Sequence, residues 1–501
     1  MDQTNHHQLG SSLPLGLDSG LGGWRRGSGP LSRRLAAALI AAIERQELLP
    51  GTKLPPERVL AAHLAVARTT VSAAYELLER QGLVRRRQGR GTHVTGGVGT
   101  RMDARAADLT TSLQRNIIFR RLSDGAAGAI ELLSSSAPPS PRIRHALVAA
   151  ADAVDTDDLV RGNGYFPLGY PPLRRAIAAY ITARGLPTSE EEILVTGGAQ
   201  QAVSLLAGYH AGPGAMVVVE DPTFPGALDA FRAAGTRILS VPVCDASTSV
   251  EIIASTISRN PVQAVYVMPA FHNPTGAMMP EPARRELAKL ARASGVTVVE
   301  DNTLADLALG GEPPLPLAAY GRRAPIVTIG SLSKLFWAGL RVGWIRAQRP
   351  AIAQLGQLKA VADLGTSLFT QAIAVNLLAD TERIRELRYR ELTDRLAFLQ
   401  ELLHHALPDW AWRRPDGGPS VWARLPVGTA VELALIASHR GVLIAPGSLM
   451  SPTGRFGEFI RLPFDHEPAI LQEAIRRLAS AWHIYRAQLR SHGSSRIEVI
   501  V

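Results

Sequence analysis

Lys334 is the side chain in this sequence with the most chemistry to offer. It follows the apolar run Ile326 to Ile329 and has Ser331, Ser333 and Arg341 close by in the chain. A lysine amine in a cationic, partly desolvated pocket has a lowered pKa, so it can attack a carbonyl carbon. On open surface the same residue would be only a solvated charge. Asp301 closes a second apolar run, Val296-Thr297-Val298-Val299-Glu300, and a carboxylate at the buried end of a strand needs a partner. Gly198, Ala199 and Gln200 open a helix directly after a strand, where free backbone N–H groups bind anions. Ser331 and Arg341 add a hydroxyl and a guanidinium fork suited to phosphate. A reactive amine, an anchored carboxylate and an anion cradle are therefore spread over separate motifs, and only a fold that returns to one place can unite them.

The elements that must do this start at Ala129. Runs of β-type residues, Ala215 to Val219, Ala264 to Met268, Val296 to Val299 and Ile326 to Ile329, alternate with helical stretches. That alternation predicts an α/β domain with a largely parallel sheet. A chain of 501 residues exceeds one hydrophobic core, so two or more domains are expected, and an apolar fraction of 46% is that of an ordinary soluble protein. The single cysteine, Cys244, excludes an internal disulfide and a cysteine-based metal cluster, and fits a reducing compartment. No metal site is expected. The start, MDQTNHHQLG, lacks the pattern of a secretory signal, and the longest apolar runs, such as Leu35 to Ile43, are too short to cross a bilayer. The expectation is a cytoplasmic protein without membrane contact.

Charge distinguishes the N-terminal part. Ser28 to Thr95 holds eleven Lys or Arg against five Glu, a balance of +6 out of +10 for the whole chain, which suggests a polyanion partner at that end. Residues 1–29 read as a flexible tail. Leu35, Leu39 and Ile43 then repeat at helical spacing until Pro50-Gly51. A second helix is expected from Pro55-Pro56 through Val59, Leu60 and Leu64, and a third from Arg68 through Val71, Tyr75 and Leu78 to Gly82. Leu83-Val84 and Thr92-His93-Val94 flank the run Arg85 to Gly91, a hairpin with a basic tip. Three helices and a basic hairpin make a winged helix-turn-helix. The stretch LPPERVLAAHLAVARTTVSAAYELLERQGLVRRRQGRGTHV resembles the GntR-type DNA-binding domain, assigned to residues 30–95. A short helix presents Arg68, Thr69 and Thr70 from its first turn, where side chains reach base edges. Arg58 is placed for a phosphate or a guanine edge. By similarity, Gln88, Gly89 and Arg90 at the wing tip enter the minor groove or track the backbone. Ala67 stands where this family commonly has a capping Ser, a loss of about 1 kcal/mol of helix stability that leaves the contact residues untouched.

Residues 96–128 read as a linker. Beyond them, NGYFPLGYPPLR, TGGAQQAV, EDPTFPGALDAF, HNPTG, VVED, SLSKLFWAGLRVGW and FIRLPF occur in order. Together they resemble the fold-type I pyridoxal phosphate enzymes of the aminotransferase class, over residues 129–490. The resemblance implies a Schiff base between Lys334 and the aldehyde of pyridoxal 5'-phosphate, and a contact from Asp301 to the pyridine nitrogen that makes the ring an electron sink. It places the phosphate on Gly198, Ala199, Gln200, Ser331 and Arg341, the ring under Phe224, and the phenolic oxygen on Asn273. It further implies that Tyr165 reaches the phosphate of a neighbouring subunit, hence a homodimer with shared sites, and that Arg461 clamps the carboxylate of an amino-acid-like ligand. One departure bears on activity. Aminotransferases place a tyrosine two or three residues after the pyridine-binding aspartate, and here those positions are Thr303 and Leu304.

A GntR-type domain followed by an aminotransferase-like domain is the arrangement of the MocR/GabR regulators. That resemblance implies a ligand-responsive regulator in which an amine or amino acid forms an external aldimine in place of Lys334, or in which cofactor occupancy is itself the signal, and operator binding changes in response. Two rivals stay open: an active aminotransferase with an attached DNA-binding domain, and a regulator whose large domain holds no cofactor. Effector, operator and sign of regulation are not readable.

Overall fold

The computed structural model describes residues 30–44, 52–80, 83–87, 91–94, 128–135, 142–154, 163–210, 212–243 and 246–494, together with Trp24 and Leu48. The chain divides into two compact units, Met1–Asn116 and Ile117–Val501.

In the first unit, helix α1 (Leu31–Glu44) is followed by strand β1 (Lys53–Leu54), helices α2 (Glu57–His63) and α3 (Arg68–Arg80), and strands β2 (Val84–Arg87) and β3 (Gly91–Val94). The helical spacing of apolar residues sets the core: Leu35, Leu39, Leu60, Val71, Tyr75 and Leu78 are all fully buried. Helix α2 starts one residue later than its prolines suggest, because Pro56 serves as the N-cap. Strand β1, too short to be seen in the sequence, pairs with β3 and completes a sheet of order β1-β3-β2. The antiparallel pairing of Val84 with Val94 and of Arg87 with Gly91 forms the wing. Gln88, Gly89 and Arg90 at its tip lie outside the described residues, as do Gly82 and Cys244.

The second unit is built on a seven-stranded sheet of order β5-β11-β10-β9-β8-β6-β7. Its strands are β5 (Ile193–Thr196), β6 (Met216–Asp221), β7 (Arg237–Pro242), β8 (Val262–Val267), β9 (Thr297–Asp301), β10 (Ile326–Ser331) and β11 (Gly343–Arg346). β11 alone runs opposite to the other six strands. The apolar runs are continuous because both faces are covered. On β8, Val265 and Val267 enter one core, while Ala264 and Tyr266 enter the other. A five-stranded sheet forms a smaller lobe of order β12-β13-β15-β14-β4, from β4 (Ile130–Leu132), β12 (Ala411–Trp412), β13 (Ser420–Arg424), β14 (Val442–Pro446) and β15 (Phe459–Pro463). This second sheet was not expected from the sequence; its strands are short and separated by long helices. Among the described residues no helix is long and apolar enough to cross a membrane.

Candidate functional site

The parallel strands of the large sheet all end on the same side, and the candidate residues collect there. Asp301 and Ser331 are the last residues of β9 and β10. Ile329 pairs with Asp301 in register, and Val299 and Ile329 both enter the same core cluster, so strand alternation puts Asp301 and Ser331 on that face. Asp301 is buried and both of its oxygens are engaged. Thr303 N donates to Oδ1 at 2.9 Å, and Tyr266 Oη donates to Oδ2 at 2.6 Å. Tyr266 lies opposite Val299 in register, so Asp301 is its diagonal neighbour, within reach of a long side chain. Burial and the adjacent carboxylate hold the Tyr266 phenol well above its ordinary range.

The anion cradle forms where β5 hands over to a helix, Ala199–His210. Gly198 adopts φ +99°, and a Cβ there would sit 2.9 Å from Arg341 Nη2, so the close approach requires glycine. Arg341, itself in the left-handed region, donates from Nη2 to Gly197 O at 2.8 Å. Ser331 pairs with Gly343, whose own missing Cβ lets Gly198 come near. Gln200 Nε2 donates to Gly226 O at 2.8 Å, and Phe224 lies beside the same glycine. The structure thus brings together Gly198, Ala199, Gln200, Phe224, Ser331 and Arg341.

Lys334 stands three residues beyond β10 and is partly buried. Its Nζ donates to Ser135 O at 2.6 Å. Burial lowers its pKa to about 8; Asp465 and Asp301 oppose this, and Arg461 adds to it. On β15, Ile460 and Leu462 enter the core of the small lobe, and alternation turns Arg461 to the other face. There Arg461 Nη1 donates to Asn273 Oδ1 at 3.1 Å and Nη2 to Leu133 O, while its Nε has no partner among the described residues. Burial lowers the Arg461 guanidinium to about 10. One residue of the expected set, Tyr165, stands apart from this cluster. Tyr165 is 59% exposed, on a loop packed against Gly365, and the nearby helix and turn expose Val361, Leu364 and Phe369. Where the usual tyrosine would stand, Thr303 is half-buried, its Oγ1 lacking a partner among the described residues, and Leu304 is buried in the core, so no phenol rises from that loop.

Sequence reasoning missed Tyr266, Ser135 and Asp465. Tyr266 was visible as a polar-tipped aromatic in an aliphatic strand, and Asp465 as an acid directly after FIRLPF; Ser135 gave no signal.

In the N-terminal unit, Arg58, Arg68 and Thr69 are exposed and Thr70 is half-buried. Arg68 Nε lies 3.3 Å from Glu57 Oε2, and Ser72 Oγ donates to the other oxygen of Glu57 at 3.3 Å. Glu57, at the start of α2, thereby restrains the first residue of α3, a role the sequence did not reveal. Tyr75 Oη donates to Pro55 O at 2.9 Å and ties α3 to the segment before α2.

Comparison with known proteins places both units. Residues 129–478 match the family described as aminotransferase class I and II, and residues 31–94 match the bacterial regulatory proteins of the gntR family. The uncharacterized HTH-type transcriptional regulator YisV of Bacillus subtilis is 29% identical over 88% of this chain and 93% of its own. The 2-aminoadipate transaminase of Thermus thermophilus is 34% identical over 62% of this chain and 79% of its own. Among solved structures, the α-aminoadipate aminotransferase LysN of Thermus thermophilus, complexed with N-(5'-phosphopyridoxyl)-L-leucine, superposes with a TM-score of 0.68 at 28% identity, covering 75% of this chain and 98% of that one.

Proposed function

This chain belongs to the aminotransferase class I and II family and carries a gntR-family DNA-binding domain ahead of it, and from that premise we propose that its large unit binds pyridoxal 5'-phosphate through Lys334 and that amine exchange there controls operator binding. The chain is a transcriptional regulator made by fusion of the two. The observation that carries the cofactor reading is the convergence of three groups at one end of the sheet: a lysine amine with a pKa of about 8, the doubly anchored Asp301, and a cradle at Gly198 that only a glycine can close. These residues fit the group. When bound, pyridoxal phosphate supplies an aldehyde that exchanges amines and a ring that withdraws electrons.

The rest is done by the chain. Lys334 holds the aldehyde carbon. Asp301, fixed by Tyr266 and Thr303 N, keeps a proton on the ring nitrogen. The N–H groups of Gly198, Ala199 and Gln200, with Ser331 and Arg341, receive the phosphate, and Phe224 covers the ring. Asn273 gives its carbonyl oxygen to Arg461, so its amide hydrogens are the donors it offers the phenolic oxygen. Arg461 receives the carboxylate of an amino-acid-like ligand; a simple amine would do without it. Tyr165, exposed among apolar neighbours, serves the phosphate of a second copy, which makes the protein a homodimer with shared sites. Ligand exchange shifts the small lobe against the large one, and the segment joining the units passes this to the paired winged helices on DNA. Arg58, Arg68, Thr69, Thr70, Gln88, Gly89 and Arg90 make the DNA contacts, and the protein works in the cytoplasm.

The test is the visible absorption spectrum of wild type and Lys334→Ala with added pyridoxal phosphate, followed by borohydride. A band fixed to the chain in wild type and absent from the variant supports the reading; no band in either overturns it. A second reading, an active transaminase, is favoured by the retained Arg461 and by identity to a transaminase, while Thr303 and Leu304 speak against it. Steady turnover of an amino donor with a keto acid would establish it.

A further inference from the structure

The pocket around Lys334 contains a buried carboxylate that the reading above leaves without a role. Asp465 comes two residues after β15, is 1% exposed, and is joined to the lysine through a single residue. Ser135 Oγ donates to Asp465 Oδ2 at 2.6 Å, and Ser135 O accepts from Lys334 Nζ, also at 2.6 Å. Asp465 Oδ1 is buried without a hydrogen-bond partner among the described residues. Arg395 donates to the main-chain carbonyl of Asp465, which fixes the backbone that carries the carboxylate. An unpaired buried carboxylate oxygen is costly, so its presence calls for a state of the site that supplies its partner.

A count of charges identifies that state. A primary amine ligand arrives as an ammonium. Its nitrogen gives up its hydrogens as protons and bonds to the aldehyde-derived carbon, the bond from that carbon to Lys334 Nζ breaks, and the leaving nitrogen takes up the same number of protons. Nothing is oxidised or reduced. The positive charge that came in on the ligand ends on Lys334 Nζ, where burial disfavours it and Arg461 repels it. Arg461 takes any ligand carboxylate. The released lysine is then the cation in need of a partner, and Asp465 is the anion available to it.

We infer that Ser135 and Asp465 form a docking site for the released amine of Lys334, which stabilises the ligand-exchanged state and so sets how readily a primary amine displaces the lysine. This rests on Lys334 carrying the cofactor, as proposed above. The bonds from Nζ to Ser135 O and from Ser135 Oγ to Asp465 bring the amine within one residue of the carboxylate. Asp465 is a positioning residue, acting on Lys334 and not on the ligand. The inference therefore predicts sensitivity to primary amines with or without a carboxylate.

The experiment uses the full chain loaded with pyridoxal phosphate, as wild type, Asp465→Asn and Ser135→Ala. Each is titrated with methylamine and with L-alanine and reduced with borohydride, and protein mass reports the fraction of cofactor still fixed on Lys334. Asp465→Asn should require about ten-fold more of either probe for half-displacement, and Ser135→Ala should shift the same way. The difference from wild type should shrink as pH rises past about 8, where the released amine no longer carries charge; Asp301 and Arg461 face Nζ in all three proteins and cancel in the comparison. Equal displacement in wild type and Asp465→Asn overturns the inference, as does a shift confined to L-alanine, which would make Asp465 a ligand-recognising group. If Asp465→Asn does not fold, Ser135→Ala, which keeps the carboxylate, decides by the same criteria. Absence of label on wild-type Lys334 overturns the cofactor reading and this inference with it.

Discussion

Tyr266 Oη donates to Asp301 Oδ2 at 2.6 Å from the neighbouring strand, with both residues buried. Strand register makes this bond: Tyr266 faces Val299, and Asp301 lies one step further along the same face. The carboxylate proposed to meet the cofactor ring is thus aimed from two sides, by a phenol and by the Thr303 amide.

Tyr266→Phe removes one of those two supports and leaves a buried carboxylate oxygen short of a donor. The expected cost is about 1–3 kcal/mol of folding stability, read from urea denaturation. Affinity for pyridoxal phosphate should fall with it, since Asp301 loses its orientation. Unchanged cofactor affinity would mean that Thr303 N alone sets the carboxylate.

The sheet-end cluster also holds a buried pair with opposed titrations. Burial, reinforced by Asp301, raises Glu220 from 4.5 to about 7 against the opposing bond from Met268 N, and burial lowers His272 from 6.5 to about 4. Their facing atoms are 3.6 Å apart. The raised Glu220 contributes stability that is present below pH 4.5 and lost as pH rises toward 7. The depressed His272 contributes stability that is present above pH 6.5 and lost as pH falls toward 4. Between pH 4.5 and 6.5 the two slopes oppose each other. Glu220→Gln should therefore gain stability with rising pH across that window relative to wild type, measured by urea denaturation at several pH values. Parallel curves for the two proteins would show that Glu220 titrates normally.

Much of this site was legible in advance. Asp301 and Lys334 could be singled out because each closes or follows an apolar run, and strand ends in a parallel sheet converge; Ser331 and Arg341 were singled out as a hydroxyl and a guanidinium fork near Lys334 in the chain. Arg461 was readable by resemblance, and its apolar flanks foretold burial. Tyr266 was not, because its partner lies on another strand and depends on register, which periodicity does not carry. Asp465 and Ser135 meet across a separation of 330 residues, and nothing local marks such a pair. Strand β1 escaped notice for a different reason: two residues are too few to show any alternation.

Glycine at position 198 offers a two-sided test of the cradle. In Gly198→Ala the new Cβ would meet Arg341 Nη2 at 2.9 Å from a backbone at φ +99°, a conformation that alanine adopts only with strain. Affinity for pyridoxal phosphate should fall about ten-fold or more, equivalent to about 1.4 kcal/mol, in a fluorescence or absorbance titration. Gly208→Ala, in the helix that follows, meets nothing within 4 Å and should leave affinity unchanged while stabilising the fold by about 0.5–1 kcal/mol. Equal cofactor affinity in the two variants would remove Gly198 from the phosphate site.

The DNA-binding unit supplies the last prediction. The Arg68 side chain is 71% exposed and rests against Glu57 at 3.3 Å, an exposed pair worth little for stability but placed to hold the guanidinium at the start of α3. Arg68→Ala should abolish specific operator binding and leave cofactor binding intact, as read by footprinting and absorbance on the same preparation. Glu57→Gln acts differently. It removes a negative charge near the phosphate backbone, so affinity for random DNA should rise, while the loosened Arg68 narrows the ratio of specific to non-specific binding. Titrations across a range of salt concentrations separate these effects, because phosphate contacts make affinity fall steeply with salt and base contacts do not. A flat salt dependence in wild type would point to a protein partner for this unit, and a preserved specificity ratio in Glu57→Gln would show that Arg68 orients itself without help.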